Sequence, residues 1–411
     1  MRKVKLLVLT AMSALALVGC GGKTGTLPSG GKDVDVTNEE GQATLKERLS
    51  AVEKAYTNSS FDSASLKAVT SGVSVNAKAN AESDATGKID LEVGLNDFGG
   101  ELELKAAKHA KGEDEEYDSV DASLVAKTTS GKLSIKGNVP GKEENTTAKL
   151  DASLALKGAE VDAYVTGSKA YVDISKSGND KLIGDIDTFG NTLLGQLKES
   201  AFGPLLSFVV PSDIPEEVLN RKELKLTLAD YYKETVKDKK LFLEMGQPIE
   251  WPTAKEEESS KKETNFDGFI ETVTEFAKQK VGFQFKTYSG NGFGLALAMN
   301  KESLVNFAKM NAETEEEAKD TAEKINKYVS KFTFNADVYF NKDALLESAG
   351  ASFSLEAKLD KSLLGESSES FKSFDATISA KATEKVEVKY GGVKVNLPDF
   401  ADYKEFKLFA K

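Results

Sequence analysis

Residues 160–175 read EVDAYVTGSKAYVDIS, and this stretch decides the fold class. Val161, Ala163 and Val165 alternate with polar or amphipathic residues before Gly167-Ser168, and Ala170, Val172 and Ile174 alternate after it. A two-residue turn at Gly167-Ser168 pairs Val165 with Ala170, Ala163 with Val172 and Val161 with Ile174, so apolar faces apolar. A slip of one residue sends the whole apolar set to the other face, so the register is tightly specified. Tyr164 and Tyr171 then oppose each other on the other side as a cross-strand aromatic pair.

The same alternation extends outward from 73 to 175. It marks Val73–Ala79, Ile89–Leu95, Leu102–Ala106, Val120–Ala126 and Leu150–Leu156, and it returns at 332–340, 353–357 and 374–380. Strands with one apolar and one polar face belong to antiparallel sheets covered on one side. Turn chemistry predicts two more hairpins. One at Gly99-Gly100 pairs Leu95 with Leu104 and Val93 with Ala106. One at Gly391-Gly392 pairs Tyr390 with Val393, Val388 with Val395 and Val386 with Leu397. A shorter hairpin over 283–299 turns at Ser289-Gly290-Asn291-Gly292.

Helical spacing appears four times. Thr37 and Glu40 have capping-box spacing and open a helix with Leu45, Leu49, Val52 and Tyr56 on one face. Ile186, Phe189, Leu193, Leu194 and Leu197 mark a second helix, and Phe266, Phe269, Ile270, Val273 and Phe276 a third. A helical stretch covers Asn300 to Lys331. The run Leu205–Val210 is wholly apolar, and residues 253–264 read as a charged loop. The expected class is therefore α+β, a large curved antiparallel sheet wrapped around several helices.

The N-terminus carries a different signal. Arg2, Lys3 and Lys5 precede an apolar run from Leu6 to Val18, which is too short to span a bilayer. Leu17-Val18-Gly19-Cys20 follows, in the order of a secretory signal ending at a cysteine. It resembles the lipobox of bacterial lipoproteins, which implies cleavage before Cys20 and a diacylglycerol on its sulfur. Cys20 is the only cysteine of the 411 residues, and acylation accounts for an otherwise unpaired thiol. The expected organisation is a signal peptide over 1–19, a flexible Gly/Ser/Thr/Pro tether over 20–36 and an ordered body over 37–411. A second tandem unit from about 266 stays open. The expected location is the outer face of the cell membrane, through lipid on Cys20.

Charge narrows the partners. The formal net charge is −12, and loss of Arg2, Lys3 and Lys5 takes it to −15. Such a body repels nucleic acid and anionic headgroups, so no nucleic-acid partner is expected. Only three arginines, at 2, 48 and 221, are available as bidentate anion clamps.

The order helix, meander, helices, hairpin, helices, meander resembles the LolA and LppX/LprG-like lipoproteins. The likeness is best over 281–411. There Asp337-Val338-Tyr339-Phe340-Asn341-Lys342-Asp343 looks like the family's strand and turn. Val386-Glu387-Val388-Lys389-Tyr390-Gly391-Gly392-Val393-Lys394-Val395-Asn396-Leu397-Pro398 looks like its closing hairpin and terminal proline. The resemblance implies a half-barrel that holds a lipid or other amphiphile between sheet and helices.

Catalytic chemistry is sparse. His109 is the only histidine, beside the charged segment 111–116, and no GxSxG elbow presents a serine. One His without a second Cys rules out a Cys/His pair and the usual zinc sets. Asp185-x-Asp187 with Gly190 hints at a calcium loop, but Phe189 and Gln196 stand where ligands are needed. Gly290-x-Gly292-x-Gly294 lacks the Lys-Ser/Thr of a phosphate loop and reads as a turn. Trp251 reads as a loop anchor. The expectation is a non-enzymatic lipoprotein with no cofactor and no metal. It binds an amphiphile in an apolar cavity, with small inward residues such as Ala122, Ala152 and Ala163. The alternative is a surface interaction or structural protein with a solid core.

Overall fold

Alternating Ala, Val and Leu against Lys, Glu and Ser runs almost unbroken from 63 to 140, and the strands it makes are very long. In the computed structural model, which describes residues 27–58, 61–83, 87–111, 117–205, 214–235, 238–251 and 265–406, β2 (Ser63–Ser83) has 21 residues, β3 (Gly87–His109) 23 and β4 (Ser119–Pro140) 22. Ordinary strands have about 3–10. Leu17–Cys20, the run 206–210 and the whole charged loop 253–264 lie outside the described residues.

β1 (Lys32–Val34) and α1 (Glu39–Asn58) precede these strands. After them come β5 (Thr147–Ala155), β6 (Glu160–Thr166), β7 (Lys169–Asp173) and α2 (Ser177–Lys198). A small ribbon of β8 (Leu219–Asn220) and β9 (Lys225–Leu226) leads to α3 (Leu228–Thr235), β10 (Lys240–Glu244) and α4 (Asp267–Lys278). Then follow β11 (Phe283–Thr287), β12 (Phe293–Asn300), α5 (Lys301–Met310), α6 (Glu315–Tyr328), β13 (Val329–Phe340), β14 (Leu346–Asp360), β15 (Ser373–Tyr390) and β16 (Lys404–Glu405).

The fold is α+β. Fourteen of the described strands form one open sheet in the order β1-β11-β12-β13-β14-β15-β2-β3-β4-β6-β7-β10-β16, with β5 sharing with β6 the edge of β4 opposite β3. Every pairing is antiparallel except that of β10 with β16. The strands after 266 and those before it share this sheet, joined where β15 pairs with β2.

Two expected hairpins are corrected. Gly99-Gly100 is no turn: β3 runs straight through it, pairing with β2 and β4 on both sides of the glycines. The glycines instead mark bulges, where the register shifts between Thr70 and Val73 and between Asn96 and Gly100. Left-handed residues line up across the neighbours at Gly72 (φ 60°), Asp97 (φ 48°) and Gly131 (φ 143°). The Asp97 N–H donates to Ser74 Oγ at 3.0 Å, and Ser130 Oγ donates to the Asp97 carbonyl at 2.7 Å. Bulges sharpen local twist, so this line is a crease across the three longest strands. A glycine pair inside a period-two pattern fits either a turn or a bulge, and strand length alone separates them.

Gly391-Gly392 does not close a hairpin either. β15 ends at Tyr390, and residues 391–398 form no strand. Val386 pairs with Ala349 on one side and Ala68 on the other. With both edges of β15 occupied, no ladder is left for a returning strand. The Gly167-Ser168 hairpin has the predicted register, including Ala163 with Val172 and Tyr164 with Tyr171.

Order also starts before Thr37. β1 pairs with β11, Val36 is buried, and Leu27 packs where Gly294 has no side chain. Residues 27–36 of the expected flexible tether are therefore ordered, and 20–26 lie outside the described residues. The helix cap is one residue later than expected: Asn38 Oδ1 accepts from the Gly41 N–H at 2.8 Å, while Thr37 bonds Asp35.

Two clusters cover parts of the apolar face. In one, α1 and α4 bring Leu45, Val52, Ile270 and Val273 against Phe285, Phe293, Phe340 and Leu346. Phe293 stacks on Phe340 with centroids 4.6 Å apart. In the other, Leu193 and Leu197 of α2 pack on Val139, Ala148 and Leu150, with Ile89 and Leu91 beneath. Each large side chain so buried contributes about 1.5–3 kcal/mol.

Candidate functional site: an open apolar face

Between the two clusters the sheet keeps its apolar alternation but lacks a cover. On β5, Ala148, Leu150, Ala152 and Leu154 are all buried beneath α2, and the polar residues between them are exposed. On β6 and β7 the sense is inverted. Val161 and Val172 are exposed, whereas Asp162, Tyr171 and Asp173 are buried.

The inversion has a visible cause. The C-terminal segment crosses the polar side of β6, β7 and β10. Phe400 stacks on Tyr171, Tyr403 meets both rings edge-on, and Tyr164 touches Phe400. Burial beside Asp173, Tyr164 and Asp162 pushes the Tyr403 hydroxyl up to about 12. Beneath this segment lie two carboxylates directly opposite each other, Asp162 and Asp173. The Lys176 ammonium sits 3.2 Å from Glu160 and 3.3 Å from Asp162, and both hold its pKa above the ordinary lysine value. Asp173 accepts the Ser175 N–H at 2.8 Å.

With the polar side covered, the apolar side faces outward. Cross-strand register assembles it into three rows. Leu66, Leu104, Leu124, Ala163, Val172 and Leu241 form the middle row. Ala64, Ala106, Ala122, Val165, Ala170 and Leu243 flank it on one side. Ala68, Leu102, Ala126 and Val161 flank it on the other. Leu104 is 39% exposed and Leu243 44%. A contiguous apolar surface of this kind marks an interaction or ligand site.

Two neighbours border the face. α1 ends beside it, where Tyr56 and Tyr390 share a 2.6 Å hydrogen bond and Val388 registers with Leu66. α2 lies on β5 along the adjoining edge of β4. It carries Leu182, Ile183, Ile186 and Phe189, yet none of its residues is buried. Helix and sheet thus both present half-open apolar surfaces. The expected apolar space between sheet and helices takes the form of an open face, and Ala122 and Ala163 lie in it while Ala152 is covered. Open grooves of 310 Å³, on the polar side around Lys78, Glu92, Glu356 and Lys358, and of 490 Å³, at Tyr117 and Met245–Glu250, lie elsewhere.

One charged residue of β15 shares the apolar side. β15 is regular along its ladder with β14, so its inward residues are Phe374, Ala376, Ile378, Ala380, Ala382, Glu384, Val386, Val388 and Tyr390. Glu384 registers with Ala351 and Thr70 at the crease. It is half-buried, and burial raises its carboxyl above the ordinary glutamate value. The parity of β15 was the signal for it, readable from Phe374–Ala380 before it and Val386 and Val388 after it.

The other singled-out residues have structural places. His109 ends β3, half exposed, with Nδ1 3.0 Å from Asp121 Oδ2. Asp185 and Asp187 lie inside α2 rather than in a loop. Asp185 pairs with Lys181, and Asp187 accepts the N–H groups of Leu228 and Ala229 to cap α3. Trp251 is buried, and its Nε1 donates to the Phe61 carbonyl at 3.0 Å, the anchor expected of it. Gly290 and Gly292 form the β11–β12 turn, where Arg48 donates to the Gly290 carbonyl. Compared with known proteins, the chain matches no family model and no curated sequence.

Proposed function

We propose that the chain is a non-enzymatic lipoprotein, held to the outer face of the cell membrane by diacylglycerol on Cys20, that binds an amphiphile on the open apolar face. In this reading the sheet curves as a half-barrel, with α1 and α2 as its two flanking walls. The observation that carries it is the inversion on β6 and β7, where a surface of Ala, Val and Leu is left outward while carboxylates are covered. Exposing such a surface forgoes about 25 cal/mol for every Å² that burial would stabilise. A ligand that covers it returns that stabilisation. Branched and small side chains present a smooth surface suited to an acyl chain, which needs no polar constellation.

The test is binding of a fluorescent fatty-acid or alkyl probe to the purified protein. Saturable binding is expected, reduced at least about tenfold by Leu104→Glu and by Ala163→Trp. Absence of saturable binding would favour the alternative, a surface interaction protein whose apolar face meets another protein.

A further inference from the structure

The apolar face is interrupted by a single charged residue of β15, and that interruption bears on the ligand. Along the inward positions from Phe374 to Tyr390, Glu384 alone is charged. Its neighbours on the same side are Ala382 and Val386 along the strand and Ala351 and Thr70 across it. The carboxyl has no hydrogen bond or ion pair among the described residues. Val386 registers with Ala68 and Ala68 with Leu102, so the carboxyl stands one position from the end of the outermost apolar row. Thr70 beside it, Gly100 and Thr128 continue the same line across the crease. The site is therefore polar at this margin and apolar across its three rows.

We propose that Glu384 receives the head of the bound amphiphile, and that this head is a cationic amine. An unpaired carboxylate beside apolar surface is costly, and a cation that reaches it forms a charge-assisted hydrogen bond stronger than a neutral one. The net charge of the full sequence, −12, acts in the same direction, attracting cationic and repelling anionic amphiphiles. This assignment rests on the amphiphile-binding reading above.

The experiment compares two fluorescent probes with the same alkyl chain, one ending in a primary ammonium and one in a carboxylate, on the full protein at neutral pH. The ammonium probe is expected to bind about tenfold tighter or more. In Glu384→Gln, which keeps the shape and removes the charge, the preference should fall to within about threefold of unity, with carboxylate-probe affinity unchanged or improved. An undiminished preference in Glu384→Gln, or tighter carboxylate binding by the native protein, overturns the assignment of Glu384 while leaving the apolar face standing. Saturable binding of neither probe overturns the apolar-face reading and this assignment with it.

Discussion

The ring of Phe400 lies on that of Tyr171, with centroids 3.7 Å apart and planes 19° from parallel. Through this contact the C-terminal segment around Phe400 and Tyr403 covers the polar side of β6 and β7. The covered hydroxyl of Tyr403, raised to about 12, gives the segment an alkaline limit. A tyrosine held above its unfolded value contributes stability that is fully present below about pH 10. That contribution is lost as pH rises through about 12. The native protein should therefore lose melting temperature between pH 10 and 12, and Tyr403→Phe should remove part of that loss. Tyr56 and Tyr390, also raised by burial, contribute to the loss in both proteins. Phe400→Ala is expected to destabilise by about 1–3 kcal/mol in denaturant melts.

Glu384 gives a dependence in the acid range. Its carboxyl is raised, so the folded state binds the proton more tightly than the unfolded chain. Stability from this group is present below the ordinary glutamate value and is lost as pH rises through the raised one. Glu384→Gln should therefore gain stability relative to the native protein as pH is taken from 4 to 8, read from urea midpoints. A constant difference between the two proteins across that range would show that Glu384 titrates as a solvated residue.

Gly178, in the first turn of α2, faces the carbonyl of Gly158, and a Cβ there would stand 1.6 Å from that oxygen. Backbone on both sides leaves no flexible group to yield. Gly178→Ala should lower stability by more than about 1 kcal/mol through displacement of the start of α2. Gly184→Ala, with nothing within 4 Å of the added carbon, serves as the control and should be neutral or stabilising.

Cys20→Ala should abolish incorporation of labelled palmitate and leave the precursor uncleaved. Label retained by the variant would remove the anchor from the proposed function without touching the apolar face.

The sequence made the sheet legible because period two is a direct consequence of the pleat, and the 160–175 hairpin could be placed residue by residue. It misled at glycine pairs. Gly99-Gly100 and Gly391-Gly392 satisfy the local chemistry of a turn, yet the ladder partners of β3 and β15, hundreds of residues apart in the case of Ala68 and Val386, hold those strands straight. The candidate site was half legible. Ala122 and Ala163 were visible as small inward residues, but which side of β6 and β7 would be covered depended on Phe400 and Tyr403, more than 220 residues downstream. Glu384 was legible by parity, since Phe374–Ala380 before it and Val386 and Val388 after it mark its side of the strand as the apolar one; what the sequence did not show is that β2, hundreds of residues upstream, sets Thr70 and the crease beside it.

The fastening of the N-terminal chain sets a height. Leu27 seated on Gly294, Tyr288 donating to the Pro28 carbonyl, Gly31 against the Tyr288 ring and the β1–β11 ladder pin the chain to one rim of the sheet. Only seven Cα steps separate Cys20 from Leu27, a leash of at most about 25 Å, where a free chain to Thr37 would reach about 60 Å. With Cys20 acylated as proposed, the rim at β11 and β12 rides close above the bilayer. Anchorage and apolar face then have separate places on the sheet, the one at the β1–β11 end of its strand order and the other across β2 to β10.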